Sequence, residues 1–183
     1  IKTSYDETWT DKNILQADMG ELRIIKDAWV ADSSLVVPAA LFEIGFLDNL
    51  TVDNVYCKDT RFRKIVSRGI LTGLIDYFAQ VEGITAAYPP LEVSSFEVQV
   101  TGSTITLSWQ PTDDTIHAGE SVPEYYFIYT SPDGIVFSAE PVSTVSTSYT
   151  FDADNVDYRY FRVSAYNSNG EGILTDAVHA DVD

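Results

Sequence analysis

Cysteine is nearly missing: Cys57 is the single thiol in 183 residues. That excludes an intrachain disulfide and any metal site built from several thiolates. One cysteine does not fix a compartment, but a scarcity of thiols is compatible with an oxidising envelope. No apolar run approaches the roughly 20 residues needed to span a bilayer. The longest, Leu35 to Phe46, is interrupted by Pro38 and Glu43. Histidine is absent from residues 1–88; His117 and His179 are the two in the chain. Basic residues almost stop after residue 88. Residues 89–183 carry 15 Asp and Glu against Arg159 and Arg162, whereas residues 1–88 carry 13 acids and 9 bases. The net charge of −17 repels phosphate backbones and anionic lipid. Nucleic acid and charged membrane surfaces are therefore not expected partners, and a surface tuned for solubility accounts for the acidity. The first residue is Ile, and no charged segment followed by an apolar one marks a leader. Either a leader has been removed or the chain begins partway through a longer protein, and the second is expected.

What is present divides into two textures. Glu21 to Trp29 contains a short Leu-Arg-Ile-Ile run that reads as a strand or its approach. Ala39 to Phe46 is nearly continuous apolar residue, as expected of a parallel strand covered on both faces. Pro38 can stand at its start, where a missing N–H costs least. Asp59 or Thr60 can cap the helix that follows. Arg61 to Ala79 carries Phe62, Ile65, Val66, Gly69, Ile70, Gly73, Leu74 and Tyr77 at spacings of three and four. Gly69 and Gly73 on that stripe point to a close approach between helix backbone and sheet. Tyr88-Pro89-Pro90 stiffens the chain and ends the pattern. Beyond it come Phe96 to Val100, Thr104 to Trp109, Glu124 to Tyr129, Ser148 to Phe151 and Tyr158 to Tyr166, separated by turn residues. Short strands at this spacing predict a β-sandwich.

The second texture, from Leu91 to Asp183, resembles a fibronectin type III domain. The resemblance is carried by Leu107-Ser108-Trp109 with Pro111, by Tyr126 to Tyr129, and by the run Phe161 to Gly172. One departure is Arg159, which occupies the slot where the family usually has a tyrosine; Tyr158 and Tyr160 flank it. The resemblance implies a spacer or docking module with no chemistry of its own. His117 and His179 fall on different segments without ligand spacing and read as surface histidines. Tyr125, Tyr126, Phe127 and Tyr129 could form a sugar-stacking face, but alternation is expected to turn two of them into the core.

Glu43 is the acid of chemical interest. It stands in Ala39-Ala40-Leu41-Phe42-Glu43-Ile44-Gly45-Phe46. An ionised carboxylate in such company is costly unless paired. It also falls near the C-terminal end of the expected strand, where α/β sheets open their sites. A desolvated glutamate suits general acid/base work, and a structural ion pair is an equal alternative on these residues alone. The segment Val37 to Asn49 resembles the C-terminal signature of the zinc-dependent N-acetylmuramoyl-L-alanine amidases of bacterial walls. Asp59-Thr60-Arg61-Phe62-Arg63 and the Gly69 to Phe78 helix match that family's closing helix, and Gly20-Glu21-Leu22-Arg23 resembles the strand before the signature. The resemblance covers residues 17–80. It implies that Glu43 assists hydrolysis of the amide between muramic acid and L-alanine at a zinc site. The family's zinc ligands belong to the first half of its domain, and no metal ligand is assigned here.

The expected architecture is thus two domains: a partial α/β piece, a phosphorylase/hydrolase-like parallel sheet fragment, then an all-β sandwich. The expected boundaries are 1–86, a linker at 87–90, and 91–183. The expected function is the C-terminal portion of an exported zinc amidase acting on peptidoglycan or cell-surface glycan, inactive by itself, in the periplasm, envelope or outside the cell. A sheet cut in half would expose an edge and invite a homodimer. The alternatives are a surface adhesion protein with a degenerate amidase-like part, or a polysaccharide-acting protein. Relatives that join these two parts are sometimes labelled xanthan-lyase-like, a name these residues do not support.

Overall fold

A computed structural model describes Phe42, Ile44, Asp48 and residues 50–181 other than Ala118. Glu43 and the expected α/β strands lie outside the described residues. Of the strand Ala39 to Phe46, only Phe42 and Ile44 are described. Both are exposed and in no regular element, where a strand covered on both faces was expected. The described residues fall into two compact units that divide between Ile70 and Leu71.

Among the described residues, two helices precede the strands. Helix α1 is Asp53–Lys58, with an acid in its first turn and a base in its last, each complementing the helix dipole. Helix α2 is Thr60–Glu82. Asp59 is its N-cap: the carboxylate accepts from the Arg61 N–H at 2.8 Å and the Phe62 N–H at 3.4 Å. Phe62 and Val66 are buried, and Phe62 stacks on Tyr56 at 5.6 Å. The helix runs three residues past the expected Ala79, until Gly83 takes a φ of +67°. The Ile84 N–H then bonds the Ala79 carbonyl at 3.0 Å, which closes the helix end as a Schellman turn.

Of the two glycines on this helix, Gly73 has a described environment. A Cβ added at Gly73 would meet nothing within 4 Å among the described residues. Gly73 therefore has no close backbone neighbour among the described residues, and the sheet it was expected to approach lies outside them. The apolar stripe is buried only in its first turns: Phe62 and Val66 are buried, whereas Leu74 and Tyr77 are exposed.

The strands form two antiparallel sheets. One orders β1 (Ser94–Thr101), β2 (Thr104–Gln110) and β5 (Ser148–Asp152). The other orders β4 (Val142–Thr144), β3 (Tyr125–Ser131), β6 (Tyr160–Asn167) and β7 (Gly170–Glu171), with β8 (Val178–His179) also on β6. Alternation supplies the core. Ile105, Leu107 and Trp109 point inward from β2, Tyr126 and Ile128 from β3, and Phe161, Val163 and Ala165 from β6. Trp109 is 1% exposed, edge-on to Tyr126 at 5.4 Å and to Phe96 at 6.5 Å. Burying rings of this size dominates a small core, and truncating one to alanine typically costs about 3–5 kcal/mol.

The turns follow their residue types. Gly102 takes a φ of +56° in the two-residue connection of β1 and β2. After β3, the Asp133 carboxylate accepts from the Ile135 and Val136 N–H groups at 2.9 and 3.0 Å, and the Gly134 N–H donates to the Ser131 hydroxyl. Next to Arg159, it is Tyr158 that packs edge-on against Phe151 and Phe161 at the core. The Arg159 guanidinium instead donates to the Val156 and Tyr158 carbonyls.

Candidate functional site

Glu43 lies outside the described residues, so no geometry attaches to it. Within residues 71–183, polar side chains gather at the entry to the sandwich. Tyr88-Pro89-Pro90, expected as a linker, is buried over all three residues. Tyr88 is 4% exposed, and its hydroxyl donates to the Asp76 carboxylate near the end of α2. That bond, then burial, then the charge of Asp76 push the phenol up to about 12.

The Tyr88 ring stacks on His117, with centroids 3.8 Å apart. Asp114 fixes the imidazole: one carboxylate oxygen lies 3.0 Å from His117 Nδ1, and the other accepts from the Ile116 and His117 N–H groups at 3.0 Å each. Burial acts to raise Asp114, but the bonds from the His117 ring and from the two N–H groups outweigh it and bring it down to about 2. The Tyr88 carbonyl is held as well. It accepts from the side-chain amides of Asn167 at 3.0 Å and Asn169 at 3.3 Å, at the end of β6 and in the turn after it. A Cβ on Gly172 would come within 2.5 Å of the Pro90 carbonyl oxygen, so the β7 side closes on the prolines at backbone distance.

An open pocket of about 410 Å³ lies beside this joint, with Thr85, Ala86, Glu120, Val122, Glu124 and Asn169 among its lining. Two carboxylates, an amide and short apolar groups give it the means to bind rather than to react. The joint itself is a structural pin. Among the described residues, no group of three or more His, Cys, Asp and Glu could hold a metal ion. His117 and His179 fall in separate places, and His179 pairs with Asp181 at 2.8 Å. The described residues therefore do not fit a zinc site.

The aromatic residues of β3 distribute differently from the expectation. Tyr126 alone of the four enters the core; Tyr125, Phe127 and Tyr129 lie on the opposite, outer face of the sheet. They are joined there by Tyr166 of β6, which stacks on Tyr125 at 4.7 Å and meets Phe127 edge-on at 5.3 Å. The Tyr129 hydroxyl donates to Glu171 at 2.8 Å, and the Ser164 hydroxyl donates to the same carboxylate oxygen. Burial first, then the bond to Glu171, raise Tyr129 to about 12. The Arg162 guanidinium sits 4.4 Å from the centroid of the Phe137 ring, a cation–π arrangement.

No protein-family model matches the sequence, and no curated protein matches it. Solved structures do match about half of its length. FN3tt is 23% identical over 51% of this chain and 97% of its own, with a TM-score of 0.39. The FN1–FN3 domains of chicken CNTN1 are 23% identical over 50% of this chain and 30% of theirs, with a TM-score of 0.39. Domains d3–d4 of the rat CD45 extracellular region are 15% identical over 52% of each chain, with a TM-score of 0.40. The neighbours are fibronectin type III domains. The sandwich itself rests on the strand pairing above.

Sequence reasoning did not find the Tyr88 joint. Asp76 and Tyr88 stand on either side of a helix end, and Asn167 to Gly172 read only as a turn. The one available signal was the polar character of that turn, with two side-chain amides two positions apart.

Proposed function

We propose that this chain is the C-terminal portion of an exported N-acetylmuramoyl-L-alanine amidase, in which the sandwich is an accessory module that follows the catalytic part. The observation that carries the reading is the pattern Val37 to Asn49 with Glu43 at its centre, followed at the matching distance by a helix. An Asp59-capped helix at Thr60–Glu82 is consistent with that pattern. In this reading Glu43 moves a proton during hydrolysis of the amide between muramic acid and L-alanine. The family's reaction is zinc-dependent. The described residues do not fit the metal.

The test is digestion of purified bacterial walls by the full-length protein that contains this chain, compared with its Glu43→Gln form. The expected result is a loss of at least about 100-fold in released peptide, within the range for removing a general acid or base. Equal activity in the two forms would remove Glu43 from the chemistry. A second reading, a surface-binding protein whose amidase-like part is inactive, is favoured by the aromatic outer face of the β3–β6 sheet. It predicts no digestion by either form, with wall binding retained.

A further inference from the structure

The two sheets treat solvent differently. An antiparallel sheet with one face on a core ordinarily turns polar residues outward. The β1–β2–β5 sheet follows that rule: on its outer face Glu97 stands opposite Ser108, Gln99 opposite Thr106, and Thr106 opposite Thr150. The other sheet breaks it. There Tyr125 stands opposite Tyr166, Phe127 opposite Ser164, and Tyr129 opposite Arg162. The two faces belong to one domain with one net charge, so a need for solubility does not explain the difference. The four rings are half-buried but contiguous, and a contiguous outward aromatic surface is the mark of a contact face.

The charges select the occupant. Two carboxylates, Glu124 and Glu171, and one guanidinium, Arg162, flank the rings, so the face carries no positive excess. Around it the sandwich carries many acids and only two bases, which repels an anionic polymer. Phenol hydroxyls from Tyr125, Tyr129 and Tyr166 and a nearby carboxylate supply hydrogen-bonding groups beside flat apolar rings. That combination matches a chain that is itself apolar on its ring faces and hydroxylated at its edges.

We propose that the Tyr125–Phe127–Tyr166 face is a docking surface for an uncharged polysaccharide. Successive sugar rings lie against the aromatic row, and their hydroxyls meet the phenols and Glu171. This surface stands independently of the amidase reading, because none of its residues takes part in the chemistry assigned to Glu43.

The experiment uses the 183-residue chain. Chitohexaose and cellohexaose serve as neutral probes, polygalacturonate as an anionic one and a proline-rich basic peptide as the protein-like one, each followed by amide NMR. A neutral hexasaccharide is expected to shift the amides of Tyr125, Phe127 and Tyr166 and to leave Thr106 and Thr150 unmoved. Polygalacturonate and the peptide are expected to shift neither set. Phe127→Leu, which keeps apolar volume and removes the ring, is expected to weaken hexasaccharide binding at least tenfold. Its unfolding temperature is recorded alongside, and mapping on the unaltered chain decides the matter if the variant is unfolded. The proposal is overturned if neither hexasaccharide shifts the folded chain, if the shifts fall on the β1–β2–β5 sheet, or if the peptide alone occupies the face.

Discussion

The hydroxyl of Tyr88 donates to the carboxylate of Asp76, twelve residues earlier in the chain. Through that bond the last turns of α2 are tied to the first buried residue before the sandwich. The backbone of the same tyrosine is held from the other side by Asn167 and Asn169. What reads in sequence as a proline spacer is a joint secured on both sides.

Removing the hydroxyl tests the joint. Tyr88→Phe keeps the ring on His117 and deletes the bond to a charged partner, which should cost about 1.5–3 kcal/mol. The bond also fixes an alkaline dependence. Its phenol is raised from 10.0 to about 12, so the protonated form is favoured in the fold. Its contribution is complete below pH 10 and is lost as pH climbs toward 12. Thermal unfolding across the alkaline range should show a smaller alkaline loss in Tyr88→Phe than in the parent chain; equal losses would mean the bond does not form in solution.

Asp114 gives the opposite sign. Its carboxyl is lowered from 3.8 to about 2, so stability from the ionised form is present above about pH 4 and disappears as pH falls toward 2. Asp114→Asn should lower stability at neutral pH by about 1–2 kcal/mol and flatten the acid limb of the unfolding curve. Denaturant melts at neutral pH and at steps down through the acid limb measure both effects. An unchanged acid limb would place the titration elsewhere.

Gly73→Ala should stabilise the chain. The position is helical and exposed, and an added methyl meets nothing within 4 Å among the described residues. Alanine in place of an interior helical glycine is worth about 1 kcal/mol. A drop in unfolding temperature would show that the site is covered after all.

Gly172→Ala should do the reverse. Its new methyl would stand 2.5 Å from the Pro90 carbonyl oxygen and 3.3 Å from that of Ala165, and neither backbone atom can swing aside. Forced overpacking of this kind costs about 1–3 kcal/mol. Loss of protection at the Gly172 amide, which bonds the Ala165 carbonyl at 2.8 Å, would locate the damage by hydrogen exchange.

The sandwich is legible in the sequence because its long strands alternate. Ile105, Leu107 and Trp109 fall inward at every second residue, and Thr106 and Ser108 fall outward. Strands β4, β7 and β8 are not legible, since two or three residues hold no period and their pairing is dictated by β3 and β6. The aromatic run of β3 misleads for a related reason. Tyr125, Phe127 and Tyr129 occupy the outward positions where polar residues would have marked the solvent face, so composition hides the phase that Ile128 fixes. Helix α2 is legible, but its apolar pattern fades at Ala79, while the stop signal, Gly83, stands four residues further on. Its glycines suggest a close packing that Gly73 does not show among the described residues. Glu43 is legible as an acid in an apolar run, and its role only as a member of a pattern. The Tyr88 joint is not legible at all, because it depends on a turn bringing Asn167 beside a residue 79 positions earlier.

The closure of Gly172 on Pro90 also decides how the sandwich would carry tension. A pull applied ahead of Tyr88 is not delivered to the edge of β1, where bonds to β2 could give way in succession. It reaches first the two asparagine amides on the Tyr88 carbonyl and the proline backbone lodged against the β7 side, which resist together. A pull from that side therefore meets these contacts before it meets the entry strand.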